Sequence, residues 1–106
     1  MYKIVIAQFP YTENRQKKSR PVLVLSHAYG KYKSVIAAYI TSKIKDKLET
    51  DVLVNQSGQS GLTVNSVIRL HKLESIVSSS VRGTLGDLPT EKVAEVKRKL
   101  RTLFGL

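Results

Sequence analysis

Thr12-Glu13-Asn14-Arg15-Gln16-Lys17-Lys18-Ser19-Arg20 runs straight into Pro21-Val22-Leu23-Val24-Leu25-Ser26, a polar cationic segment followed by a short apolar run. That run has strand length and lies between polar residues, so it reads as a buried strand over residues 21–26. Proline disfavours helical backbone at the residue before it, which holds Arg20 extended where the cationic segment meets the strand. A guanidinium there is permanently charged, and its planar fork of donors matches phosphate oxygens. A solvated arginine at a strand end is the competing reading.

Runs of the same kind lie on either side. Residues 3–9, 34–41, 51–54, 66–71 and 75–77 are each of strand rather than helix length, which predicts a small, mainly β sheet. Val35-Ile36-Ala37-Ala38-Tyr39-Ile40 reads as buried on both faces before it changes abruptly to Thr41-Ser42-Lys43. Gln56-Ser57-Gly58-Gln59-Ser60-Gly61 is a turn between strands, since paired glycines among small polar residues punctuate a chain. The periodicity changes only at the end. Val93, Val96, Leu100 and Leu103 recur at helical spacing, which predicts one helix over 90–104 packed across the sheet. Thr90 is the expected N-cap, with Glu91 near the positive end of the helix dipole and Lys97, Arg98, Lys99 and Arg101 near the negative end.

A chain of 106 residues forms one domain with a single core, and 42% hydrophobic with 25% charged residues is an ordinary globular balance. The charge is unusual. Eighteen Lys and Arg against eight Asp and Glu leave a formal net charge of +10, which favours a polyanionic partner, nucleic acid or an acidic protein. The absence of cysteine excludes disulfides, thiolate metal sites and a cysteine nucleophile. No apolar stretch has the length of a membrane span, and the first residues lack the pattern of a signal peptide, so the expectation is a cytoplasmic protein without membrane contact. Two histidines and scattered carboxylates match no usual ligand spacing, so neither metal nor cofactor is expected.

Three groups of side chains suggest chemistry. Arg15, Lys17, Lys18 and Arg20 lie in a segment with no periodic apolar residues, with Phe9, Pro10 and Tyr11 at its base. Cations beside flat apolar groups hold single-stranded nucleic acid through backbone attraction and base stacking. Thr41, Ser42 and Lys43 end a core strand at a second rim. In Ser66-Val67-Ile68-Arg69-Leu70-His71, alternation puts Arg69 and His71 on one face, roughly 7 Å apart. A group that titrates near neutrality beside a permanent cation suits acid or base work next to a phosphate clamp. His27 follows a buried strand with no partner nearby in sequence. The helix cations sit off the apolar stripe and read as a solvated, dipole-stabilising face.

The order of these segments resembles the MazF/PemK toxins of toxin-antitoxin systems. The matching stretches are Phe9-Pro10, residues 19–26 around Arg20-Pro21, Ala38-Tyr39-Ile40-Thr41-Ser42, residues 66–73 and the closing segment 86–106. The resemblance covers essentially the whole chain. It implies a small SH3-like β-barrel with a C-terminal helix, shared with the gyrase poison CcdB, and usually a homodimer. It also implies a ribosome-independent, metal-independent endoribonuclease acting on single-stranded mRNA, restrained by an antitoxin for which the charge predicts an acidic chain. Operator DNA would be bound only through the toxin-antitoxin complex.

Carried over position by position, the resemblance assigns cleavage to Arg20 and Thr41, with Arg69 and His71 as further candidates. Phe9, Tyr11, Arg15, Lys17, Lys18, Ser42 and Lys43 are the expected RNA contacts. Some branches carry an aspartate where His71 stands, and the common Gly-Asp before the first strand is replaced by Tyr2-Lys3. The implied reaction is attack of a ribose 2′-hydroxyl on its adjacent phosphate, with Arg20 and Thr41 as donors to the growing negative charge and His71 as the titrating group. A CcdB-like gyrase poison and a non-catalytic RNA-binding or autoregulatory module remain the alternatives on the same fold.

Overall fold

Apolar alternation organises the first three quarters of the chain into strands, and the helical period takes over only after the last of them. The computed structural model describes residues 1–9 and 18–106. Its elements are β1 (Lys3–Phe9), β2 (Lys18–Val24), β3 (Val35–Thr41), β4 (Asp51–Val54), β5 (Ser66–Ile76), a 3-10 turn at Ser78–Ser80, β6 (Val81–Asp87) and α1 (Thr90–Phe104). The strands form one six-stranded sheet in the order β4-β5-β3-β2-β1-β6, with every pair antiparallel. This is a mainly β fold with one C-terminal helix, as the sequence predicts.

The sheet curls until its two ends meet. Asp87 N–H at the end of β6 donates to Gln59 O, in the β4–β5 connection, at 2.8 Å. Two glycines make that approach possible. A Cβ on Gly86 would run into the carbonyl oxygen of Gln59, and one on Gly61, whose φ is +72°, would run into that of Leu85. Gly61→Ala is therefore expected to destabilise the fold by about 1–3 kcal/mol through overpacking, with left-handed backbone strain added. Gly58→Ala, where a Cβ meets nothing within 4 Å, should stay within about 0.5 kcal/mol of the parent. Urea unfolding of the two variants checks the difference.

The core divides between the two sides of the curled sheet. Ile4, Leu23, Ile40, Val52, Ile68 and Leu70 pack with Val96 of α1, and Val93, Leu100 and Leu103 border that cluster as the helical period predicts. Val5, Ala7, Val22, Ala37 and Ile76 form the second cluster. On the helix, Glu95 bonds Lys99 at 3.1 Å and Lys92 at 3.4 Å. Partial burial pushes its carboxyl up, but the hydrogen bond to Lys99 and the charges of both lysines outweigh this and hold it below its ordinary value.

Several elements differ from the sequence expectation. β2 begins at Lys18, before Pro21, because pairing with β1 runs out to Phe9↔Lys18, and it ends at Val24 rather than Ser26. Arg20 thus lies within a strand, opposite Ala7. β3 is less enclosed than its composition implies, with Ile36 exposed. The segments 66–71 and 75–77 are one strand, β5, whose pairing with β3 jumps from Ala38↔Leu73 to Tyr39↔Arg69. The bulge absorbs Leu70, His71 and Lys72 and re-aims the strand without breaking it. β6 has no counterpart among the predicted strands, since it is an edge strand whose Gly83 and Gly86 interrupt any apolar alternation. Thr90 is the first helical residue and makes no capping bond; Pro89 occupies the N-cap, and its carbonyl accepts from the N–H groups of Lys92 and Val93.

Candidate active site

Pro21 opens the site. Leu25 N–H donates to Ile36 O at 2.8 Å, so the backbone groups of the alternate residues Leu23 and Pro21 also face β3. Proline has no N–H to give, and the β2–β3 ladder stops at Val22↔Tyr39, one pair short of Pro21 and Ile40. The hydrogen-bonded ladder ends there. The same register extended by two residues sets Arg20 opposite Thr41. A cavity of about 300 Å³ lies at this end of the ladder, lined by Arg20, Thr41 and Ser42 and walled by Ile6, Leu62 and Leu85 among others.

Both principal side chains are prepared for a ligand. The backbone of Arg20 is registered on β1, which fixes the direction of its side chain, while its Nε is buried and has no hydrogen-bond partner among the described residues. An unpaired buried donor costs about 1–3 kcal/mol, a cost that an anion accepting from it would relieve. Thr41 Oγ1 accepts the N–H of Lys43 at 3.1 Å, so its hydroxyl proton remains available to donate. A guanidinium and a hydroxyl converging on a partly apolar cavity can bind a phosphate and stabilise charge that develops on it.

Arg69 and His71 share a face of β5, as alternation predicts, but they meet a different partner. Arg69 Nη1 donates to Asp51 Oδ2 at 2.6 Å, and His71 Nδ1 stands 3.9 Å from Asp51 Oδ1. Neither residue lines the cavity that holds Arg20 and Thr41. A carboxylate does stand in this region after all, supplied across the sheet by Asp51 rather than by the position of His71, and it is fully buried. Sequence reasoning missed Asp51 as a functional candidate, although a carboxylate opening the apolar strand Asp51-Val52-Leu53-Val54 is itself a signal, since a buried charge demands a cation.

The remaining candidates are distributed unevenly. Ser42 lines the cavity and Lys43 is exposed immediately after it. Tyr11, Arg15 and Lys17 lie outside the described residues, as do the side chains of Phe9 and Lys18. His27 is exposed. The helix cations are only partly a solvated face, for Lys99 donates to Asp51 O at 2.6 Å and Lys97 lies 5.9 Å from the ring centroid of Tyr2. Among the described residues no three His, Cys, Asp or Glu side chains gather closely enough to hold a metal ion, and no helix is long and apolar enough to cross a membrane.

Residues 1–104 match the family model of the PemK-like, MazF-like toxin of type II toxin-antitoxin systems. No curated protein matches the chain significantly. Among solved structures, the chain is similar to the Mycobacterium tuberculosis toxin MazF-mt6, with a TM-score of 0.78 and 24% identity over 98% of this chain and 97% of that one. It is also similar to an endoribonuclease in complex with its cognate antitoxin from a Mycobacterial species, with a TM-score of 0.75 and 18% identity over 99% and 93% of the two chains. A third, an Mtb toxin, gives a TM-score of 0.66 and 22% identity over 78% and 90%.

Proposed function

The chain belongs to the PemK-like, MazF-like toxin family of type II toxin-antitoxin systems, and from that premise we propose that it is a metal-independent endoribonuclease that cleaves single-stranded RNA at the Arg20–Thr41 cavity. The observation that carries this reading is that Arg20, whose buried Nε is unpaired among the described residues, and Thr41 line one cavity. The similarity to an endoribonuclease solved with its antitoxin supports it.

In the reaction, the ribose 2′-oxygen forms a bond to the adjacent phosphorus while the bond from phosphorus to the 5′-oxygen of the next nucleotide breaks. The products are a 2′,3′-cyclic phosphate and a 5′-hydroxyl. Arg20 donates to the non-bridging oxygens as their charge grows, and Thr41 adds a second donor. The 2′-hydroxyl gives up one proton and the departing 5′-oxygen gains one, so the step balances in protons. His71 stands beside Asp51 outside the cavity, so His71→Asn should leave the shape of the pH profile of single-turnover cleavage unchanged. A profile flattened near neutrality would instead make His71 the titrating group.

The chain acts in the cytoplasm as a homodimer, and an acidic antitoxin with an extended segment silences it by lying along the cationic surface. The net charge of +10 favours such a partner, with an affinity that falls as salt rises. Operator DNA is bound only through that complex. The deciding experiment incubates the purified protein with a long single-stranded RNA in excess chelator and maps the ends. Discrete cuts bearing cyclic phosphate and 5′-hydroxyl termini are expected. RNA left intact, or cut only after a divalent cation is restored, would overturn the reading.

A further inference from the structure

Lys43 is held through both of its peptide groups. Its N–H donates to Thr41 Oγ1 at 3.1 Å, and its carbonyl accepts from Arg69 Nη2 at 3.1 Å. The other terminal nitrogen of the same guanidinium donates to Asp51 Oδ2 at 2.6 Å and to Asp46 O at 3.3 Å. Asp51 is fixed in turn. Its Oδ2 accepts Leu48 N–H at 2.7 Å, its own N–H donates to Leu48 O at 3.0 Å, and its carbonyl accepts from Lys99 Nζ at 2.6 Å. One buried ion pair therefore ties residues 43, 46, 48 and 51 together, along the whole connection that leads away from the cavity.

We propose that Arg69 and Asp51 are positioning residues that act on the reaction through Thr41, an inference that rests on the reading of Thr41 as a donor to the RNA phosphate. By fixing Lys43 they keep its N–H on Thr41 Oγ1. That bond occupies an acceptor site of the hydroxyl and turns its proton toward whatever fills the cavity. Arg69 does not reach substrate itself. Both its terminal nitrogens are committed to protein acceptors, its side chain is 13% exposed, and it does not line the cavity. Asp51, with no exposed surface, supplies the charge that keeps the guanidinium in place.

Arg69→Lys tests the chain of contacts. It preserves a positive charge beside Asp51, but one ammonium does not reproduce the planar fork that spans the Asp51 carboxylate and two carbonyls. The expected result is a fall in kcat of about tenfold with affinity for a non-cleavable, 2′-deoxy-substituted strand changed by less than about twofold. Exchange of the Lys43 amide should accelerate by about tenfold while global stability is largely kept. In a Thr41→Val background, Arg69→Lys should cost less than about twofold more, because the hydroxyl it positions is already gone.

A loss as large in the Thr41→Val background as in the parent would overturn the proposal, since Arg69 would then act independently. An unchanged Lys43 amide in Arg69→Lys would overturn it as well. Should that variant not fold, the parent protein decides: the Lys43 amide must exchange markedly more slowly than that of Lys45, and equal rates would sink the idea. Because amide exchange requires no substrate, a parent that never cleaves RNA but whose Lys43 exchange responds to Arg69→Lys would remove the nuclease reading while supporting the positional link.

Discussion

Arg20→Ala is expected to lower single-stranded RNA cleavage by about 10²–10³-fold, the effect of removing a donor aimed at developing transition-state charge. The fold should survive. The backbone pairing of Arg20 with Ala7 is independent of its side chain, and the Nε that disappears has no hydrogen-bond partner among the described residues to leave behind. Stability no lower than the parent's by urea unfolding would confirm that the lost activity is chemical, since removing an unpaired buried donor costs the fold nothing. Arg20→Lys should also be impaired, since a compact ammonium does not reproduce the guanidinium fork. Full cleavage by a folded Arg20→Ala protein would refute the assignment of the site.

The largest loss of stability is expected from Asp51→Ala. Asp51 is wholly buried and Arg69 nearly so, and breaking a buried ion pair from one side leaves an uncompensated charge, at a cost of about 3–5 kcal/mol. Leu48 N–H loses its acceptor in the same step. Replacing both partners together, as Asp51→Leu with Arg69→Met, should recover much of that loss, because no charge then remains buried. The expected signature is strong non-additivity in denaturant unfolding. Additive losses across the double variant would mean that the pair contributes little beyond the packing of each side chain.

Some of the site was legible along the chain. Pro21 identifies its predecessor as an extended arginine whatever the rest of the fold does, because the restriction is steric and local. Thr41 was found at the change from an apolar run to polar residues, which is also local. The consequence of Pro21 was not legible, since a missing N–H matters only once the register determines which strand it would have faced. The same holds for Asp51 and Arg69, which are separated along the chain and meet only through the pairing Asp51↔Arg69 of β4 with β5. β6 escaped notice because a glycine-containing edge strand carries little of the alternation by which strands are recognised.

Sequence alone determined what depends on neighbours along the chain: the mainly β class, the boundaries of β1 and β4, the span of the closing helix with its apolar stripe, and the excess of positive charge. These follow from side-chain periodicity, backbone sterics and composition. Tertiary structure alone decided that β5 runs unbroken through a bulge, that Gln59 meets Asp87 to close the sheet, that the β2–β3 ladder ends at Pro21 beside a cavity, and that Arg69 belongs to Asp51. Each of these is a pairing between segments distant in sequence, and its energy comes from register, burial and charge compensation, which exist only after the strands have met.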